Sequence, residues 1–298
     1  MQHVVRASRI VATAVALGWL AYTLASWFLA WNPADAGAYL GAAERLRHGQ
    51  ALYPAMNPEA HEVYRYAPWF ALAWIPASYL PSALVAHAWS LLMLAAAAAA
   101  VVPLLRPPSR ARIVLAAILG AFLAETAIFG NVHPLVVAIL SWSIRRPSGP
   151  IWVGVAASLK LVPILFVAYW AAIGEWRKAA TASVVAAILL VPMLAFDLSH
   201  YTTDPGSGLV SLYAASPIAW AAVAVATGGT TLWLLARRSQ YAPVALAILM
   251  FLGPPRASTA YLAFLIPGVL LALDDLPARA AARNATARSG EPDVVAAA

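Results

Sequence analysis

Two residues in this sequence are of a type, and in a place, that chemistry could use. The first is Asp35, within NPADAGAYLGAAERLRHGQALY (Asn32 to Tyr53), which follows directly on an apolar run ending at Trp31. One helical turn past a membrane exit, a carboxylate lies at the depth of a lipid headgroup or a lipid-linked phosphate. There it can take a proton from a hydroxyl, provided it stays ionised at neutral pH. The same carboxylate would also serve simply to complete a helix N-terminus, where an anion is favourable. The second residue is Lys160, in the middle of GPIWVGVAASLKLVPILF. An ammonium inside an apolar segment costs ~2.5–3.5 kcal/mol or more at mid-bilayer and usually marks a pathway or a site. The alternative, snorkelling from a helix end, is opposed by the sequence distance to the nearest cationic flank.

The elements that must position these residues are membrane helices. Of the 298 residues, 63% are hydrophobic and 10% charged, with a mean hydropathy of +0.76. Soluble domains carry roughly 25% charged residues, and here apolar stretches long enough for a ~30 Å hydrocarbon core recur along the chain. The net charge of +7 sits in short arginine clusters between apolar runs, which orients a multi-pass protein and does not suggest nucleic acid. The absence of cysteine excludes disulfides, thiolate metal sites and cysteine nucleophiles. Twelve tryptophans suit interfacial anchoring.

The expected architecture is therefore an all-α integral membrane bundle of about ten membrane segments. Residues 1–273 form one multi-pass domain and 274–298 a disordered cytoplasmic tail. The first span, Ile10 to Trp31, is too long for a signal h-region, so no cleavable signal peptide is expected. Placing Arg6/Arg9, Arg106/Arg110/Arg112, Arg145-Arg146, Arg177-Lys178 and Arg237-Arg238 in the cytoplasm leaves 32–66, 130–133, 196–216 and 253–259 outside. The first outer loop, 32–81, includes APWFALAWIPASYLP, read as an interfacial helix preceding a crossing at 82–105. Further crossings are expected at 113–129, 134–144, 179–195, 217–236, 241–252 and 260–273. The segment 150–174 is read as a re-entrant pair of short helices with Lys160 at its tip; a single crossing would put Arg237-Arg238 outside. In the opening stretch Asn32 can cap a helix with Pro33 at its first position. Asp35, Tyr39, Ala43 and Leu46 then share one face of an amphipathic helix lying on the outer membrane surface.

These stretches resemble glycosyltransferase family 87. Asp35, Tyr39, Gly49 to Tyr53 and Tyr66-Ala67-Pro68 match the family's first outer loop, with Ala67 in place of a proline. FGNVHPLVVAILSW resembles its Gly-Gln-x-Asn segment, keeping Gly130 and Asn131, and Lys160 and Pro163 match its Lys-x-x-Pro. GPPRASTAYLAFLIPGVLLAL is weakly similar to a terminal Ser-Pro-x-Ser-Trp-x-His-Tyr segment: Pro254 and Tyr261 fit, and the Trp and His are absent. The likeness runs well from Ala12 to Lys178 and poorly beyond.

The resemblance implies a GT-C fold and an inverting, metal-independent transfer of a sugar, mannose by family likeness. The donor would be a polyprenyl phosphate, and the acceptor a lipid or glycan hydroxyl. No cofactor is expected besides this donor. Asp35 corresponds to the catalytic base. Arg65, Lys160 and Arg256 are the candidates for the donor phosphate, and Tyr39, Tyr66, Asn131 and His133 for sugar or acceptor. For Arg65 snorkelling, for Arg256 a mere topological misfit, and for His133 a plain helix start remain open. The implied partners are the bilayer, the lipid-linked sugar and the acceptor. The Ala-, Arg- and Trp-rich composition fits a high-GC bacterium, hence the plasma membrane with chemistry on its outer face. Two other readings stand beside the enzyme. The missing Gln, Trp and His would suit a non-catalytic partner protein. A transporter or flippase would show paired broken helices, and only one Lys-Pro break is present.

Overall fold

Apolar runs punctuated by proline and arginine give helices, and among the described residues no strand occurs. The computed structural model describes residues 13–15, 17–23, 25, 33–54, 63–201, 212–255 and 258–273. In chain order the helices are α1 (Thr13–Thr23), α2 (Ala34–Arg47), α3 (Pro68–Trp74), α4 (Ser82–Val101), α5 (Arg110–Ile128) and α6 (His133–Ser143). They continue with α7 (Gly149–Leu159), α8 (Phe166–Ala172), α9 (Trp176–Leu190), α10 (Leu212–Ala215), α11 (Pro217–Ala236) and α12 (Ala242–Leu252). The last is α13 (Thr259–Leu273), whose first turns are 3-10. Proline opens α3, α6, α7, α11 and α12, where its missing N–H is no loss. The hydroxyls of Ser109 and Ser216 cap α5 and α11.

Among the described residues, four helical segments are long and apolar enough to cross a membrane: Ser82–Leu105, Arg110–Ile128, Trp176–Ala195 and Pro217–Ala236. The other apolar helices among the described residues are shorter, so four of the roughly ten expected segments reach crossing length there. The expected tail, Asn32 and Arg256 lie outside the described residues.

Contacts between helices order the bundle end to end. Trp89 Nε1 donates to the Gly130 carbonyl (2.7 Å) and Trp142 Nε1 to the Ala99 carbonyl (2.8 Å). So α4 and α6 run alongside, with residues 89 and 130 at one level and 99 and 142 at another, ~15 Å apart at 1.5 Å per residue. Tyr53 packs on Phe196 and Tyr201 beyond α9, at the Asp35 end. There Lys160 lies over Tyr261, 5.4 Å from the ring centroid. Trp220 Nε1 reaches the Gly253 carbonyl (3.2 Å), which sets the start of α11 against the end of α12. The arginine clusters that follow α4, α6 and α11 and open α9 gather at the opposite end.

This arrangement makes α7–Lys160–α8 a hairpin. α7 starts against the Ser143 and Ile144 carbonyls at the arginine end, reaches Lys160 at the Asp35 end, and α8 returns to Gly174 and the start of α9. Gly154 lets α7 and α9 touch: a Cβ there would lie 2.6 Å from Val185 Cβ and 2.7 Å from the Ala182 carbonyl.

One expectation changes. α2 starts at Ala34, with Pro33 at its cap position, and it does not merely rest one face on a surface. Ala36, Tyr39, Leu40, Ala42 and Ala43 are all buried. Alanines on several sides let α2 settle against α3 and α4, since small side chains admit close backbones on every face.

Candidate active site

The site is assembled around Tyr66. Asp35 stands in the first turn of α2, its amide donating to the Phe129 carbonyl at the end of α5 (3.1 Å). This joins the α2 N-terminus to the α5–α6 turn. The turn itself needs Gly130, which has φ +71° and sits where a Cβ would be 2.9 Å from Ala36 Cβ. Left-handed backbone and the close approach both select glycine. Asn131 Oδ1 then accepts from the His133 amide (2.9 Å), satisfying one of the orphan donors at the start of α6.

One turn after Asp35, Tyr39 is fully buried. Its hydroxyl donates to Tyr66 Oη (3.0 Å) and accepts from the Val132 amide (3.2 Å). Its ring meets Tyr66, Phe70, Trp74 and Trp89 edge-on, with centroids 5.0–6.3 Å away. Aromatic pairs favour this geometry. With its hydroxyl bonded on both sides, Tyr39 is tied to Tyr66 and to the start of α6.

The segment YRYAP is fixed by tyrosine hydroxyls. Tyr53 Oη donates to the Tyr66 carbonyl (2.8 Å), Tyr64 Oη to the Ala67 carbonyl (2.7 Å) and Tyr201 Oη to the Arg65 carbonyl (3.2 Å). Arg65 is half-buried and its charge bears on Tyr201. Arg65 thus has Tyr201 among its neighbours, and Lys160 has Tyr66 and Tyr261 among its own.

Electrostatics converge on Tyr66. Burial pushes its phenol up to about 12; the Lys160 ammonium opposes the shift, and the Asp35 carboxylate adds to it. A carboxylate from the first loop and an ammonium from the α7–α8 hairpin thus both bear electrostatically on one hydroxyl. Lys160 ends α7 in extended geometry. Trp69 Nε1 holds the preceding turn through Ser158 Oγ (3.1 Å).

His133 is fully buried. Its Nε2 is 2.8 Å from the Ala260 carbonyl, so that nitrogen carries the proton and Nδ1 offers a lone pair. The ring stacks on Tyr261 at 5.2 Å and meets Phe264 edge-on at 4.9 Å. Tyr261 is the residue that sequence reasoning left out of the site. It joins Lys160 to His133, and its signal was an aromatic retained where the surrounding segment otherwise departs from the pattern.

A family model described as glycosyltransferase family 87 matches residues 64–254. The chain belongs to glycosyltransferase family 87. It is thus a membrane glycosyltransferase in general class, carried on apolar helices of crossing length. No curated protein and no solved structure matches it. The family 87 match includes Tyr66, Asn131, His133 and Lys160 and begins after Asp35 and Tyr39. Those two are tied to the matched region by the Phe129, Tyr66 and Val132 hydrogen bonds described above.

Proposed function

We propose that this family 87 member transfers a sugar, mannose by resemblance, from a polyprenyl phosphate to a hydroxyl of a lipid or glycan acceptor. The observation that carries this reading is that the helix turn bearing Asp35 is bonded to the Phe129 carbonyl and, through Tyr39, to Tyr66 and Val132, while Lys160 lies over Tyr261 and both charges bear electrostatically on Tyr66. Asp35 takes the acceptor proton as its oxygen attacks the anomeric carbon from the face opposite the leaving group. The bond from that carbon to the phosphate oxygen breaks and its electrons stay on the phosphate. A single displacement of this kind inverts the anomeric centre. Lys160 neutralises the charge gathering on the departing phosphate, so the step calls for no metal. Asn131, His133 Nδ1 and Tyr66 are the groups for sugar and acceptor hydroxyls. Arg65 is assigned to the donor's other flank, and Arg256 completes the proposed phosphate set.

The hairpin tip suits such a donor. Leu161, the residue after Lys160, is 67% exposed, which sets an outward apolar side chain beside the ammonium. A prenyl chain can run over Leu161 while its phosphate turns inward to Lys160. Trp89, level with Gly130, is seven residues into α4, so the reaction centre lies ~10 Å inside that helix end. In the inside-positive orientation this end faces outward, and the donor reaches the centre from the outer leaflet.

The test uses purified protein in nanodiscs with radiolabelled polyprenyl-phosphate-mannose and a cell-envelope lipid extract from the source organism. Wild type moves label into a new lipid; Asp35→Asn folds and binds donor alike but transfers ~10²–10⁴-fold more slowly. Donor binding without transfer by wild type would instead favour the non-catalytic or transport reading. Absence of donor binding removes the reading altogether.

A further inference from the structure

We propose that the arginine end carries a second site, a pocket for the phosphate of an anionic phospholipid. A cavity of about 280 Å³ is lined by Pro103, Arg106, Ser141, Trp142, Arg145 and Arg146. It is built from two separate turns, the one after α4 and the one after α6. It lies near the far end of α6 from His133, ~12–16 Å away along the helix, and shares no residue with the candidate active site.

Three features distinguish it from arginines that merely orient the chain. First, arginines from two different turns line one cavity whose lining holds no carboxylate. Among the described residues, no hydrogen bond or ion pair ties down the side chain of Arg106 or Arg146. Like charges lining one space repel each other unless an anion sits between them, and the planar guanidinium forks of Arg106 and Arg146 match phosphate oxygens. Second, the frame is held. Trp142 Nε1 donates to the Ala99 carbonyl (2.8 Å), and Arg112 donates to the Arg106 carbonyl (3.0 Å) and the Pro107 carbonyl (3.3 Å). The backbone that presents Arg106 and Trp142 is therefore set before any ligand arrives. Third, the cationic wall borders an exposed aromatic: Trp142 is 39% exposed, with the buried Pro103 also lining the cavity. Basic pockets between helices, flanked by an interfacial tryptophan, suit a headgroup whose acyl chains continue into the bilayer. The volume sits just below the ~300 Å³ at which ligand pockets begin, enough for a phosphate with its glycerol and too small for a sugar nucleotide.

The experiment titrates full-length protein in neutral detergent with cardiolipin, reading bound lipid by native mass spectrometry. Phosphatidylcholine serves as the neutral lipid and inorganic pyrophosphate as the free anion. Wild type retains one cardiolipin in preference to phosphatidylcholine. R106Q/R145Q/R146Q lowers that affinity roughly 100-fold, three basic contacts' worth, and added salt does the same to wild type. Cardiolipin bound equally by wild type and variant would overturn the proposal. Pyrophosphate that binds wild type, is lost in the variant and displaces cardiolipin at equal concentration would keep the phosphate pocket and overturn its lipid source. Should the triple variant fail to fold, R106Q and R146Q made singly, each at an exposed position, give the same readout, an expected loss of about fivefold each. Unchanged binding in both singles would count against the site.

Discussion

Replacing Gly130 by alanine tests whether the α5–α6 turn really sets the position of Asp35. The added methyl has two consequences. At φ +71° a side chain costs about 1–2 kcal/mol in the left-handed region. The new Cβ would also stand 2.9 Å from Ala36 Cβ and 3.3 Å from the Ala36 amide, against a comfortable carbon separation of ~3.5–4.0 Å. Overpacking of this kind adds about 1–3 kcal/mol, so the total loss of stability is roughly 2–5 kcal/mol. Relief requires α2 to back away from Gly130 by something over half an ångström, and the turn that moves is the one carrying Asp35. Misplacement near 1 Å costs about 10²-fold in rate. The expected result is a transfer rate down ~10²-fold with donor affinity little changed, measured by label transfer and donor binding in nanodiscs. Gly228→Ala, with nothing within 4 Å of the new carbon, should leave transfer intact. Gly130→Ala combined with Ala36→Gly removes the 2.9 Å clash and leaves the backbone cost and the milder 3.3 Å contacts with the residue 36 amide and Trp89 Cδ1. This double variant should recover most of the rate while remaining less stable, a coupling that a double-mutant cycle reads directly. A Gly130→Ala protein with wild-type transfer and stability would refute the reasoning.

Other outcomes follow from the same geometry. Lys160→Gln should lower kcat and raise the KM for donor, together about 10²–10³-fold in kcat/KM, because the ammonium meets the phosphate both on binding and on departure; steady-state kinetics with labelled donor checks it. Tyr39→Phe removes the acceptor for the Val132 amide and should cost about 1–3 kcal/mol of stability, read by thermal unfolding in detergent. On the alkaline side, Tyr66 keeps its proton to about 12 in the folded protein, against 10.0 ordinarily. Above pH 10 the unfolded chain has lost that proton while the folded chain holds it, so stability is intact below pH 10. It is then lost as the pH rises through about 12, by roughly 3 kcal/mol from Tyr66 alone. Burial shifts Tyr39, Tyr53 and Tyr64 in the same direction, so phenolate absorbance should rise together with unfolding and not ahead of it.

What could be read along the chain and what could not divides by the kind of energy involved. Lys160 announced itself because the cost of an ammonium in an apolar run belongs to that residue and its flanks. The hairpin around it was readable for the same reason: Arg145-Arg146 and Arg177-Lys178 bracket a segment broken by Pro163. Asp35 was visible as an acid directly beyond an apolar run. The burial of α2 was not visible, because alanine and glycine score as only weakly apolar, while their value lies in how near a neighbour can come. Ala36 against Gly130 is such an approach, and no hydropathy reading of either residue contains it. Tyr66 stood among the sugar or acceptor candidates, but its setting was hidden more deeply. It depends on a hydroxyl pair with Tyr39, on Lys160 and on Asp35, three relations that exist only once α2, the YRYAP segment and the α7–α8 hairpin have met. The same holds for Tyr261, whose stack with His133 and contact with Lys160 join segments that share no local pattern. Single-residue costs survive in the sequence, whereas the pairings that turn those residues into a site are properties of the packed chain. A variant that breaks a pairing while keeping every residue's own chemistry, as Gly130→Ala does, therefore tests the site more sharply than removing any of its charges.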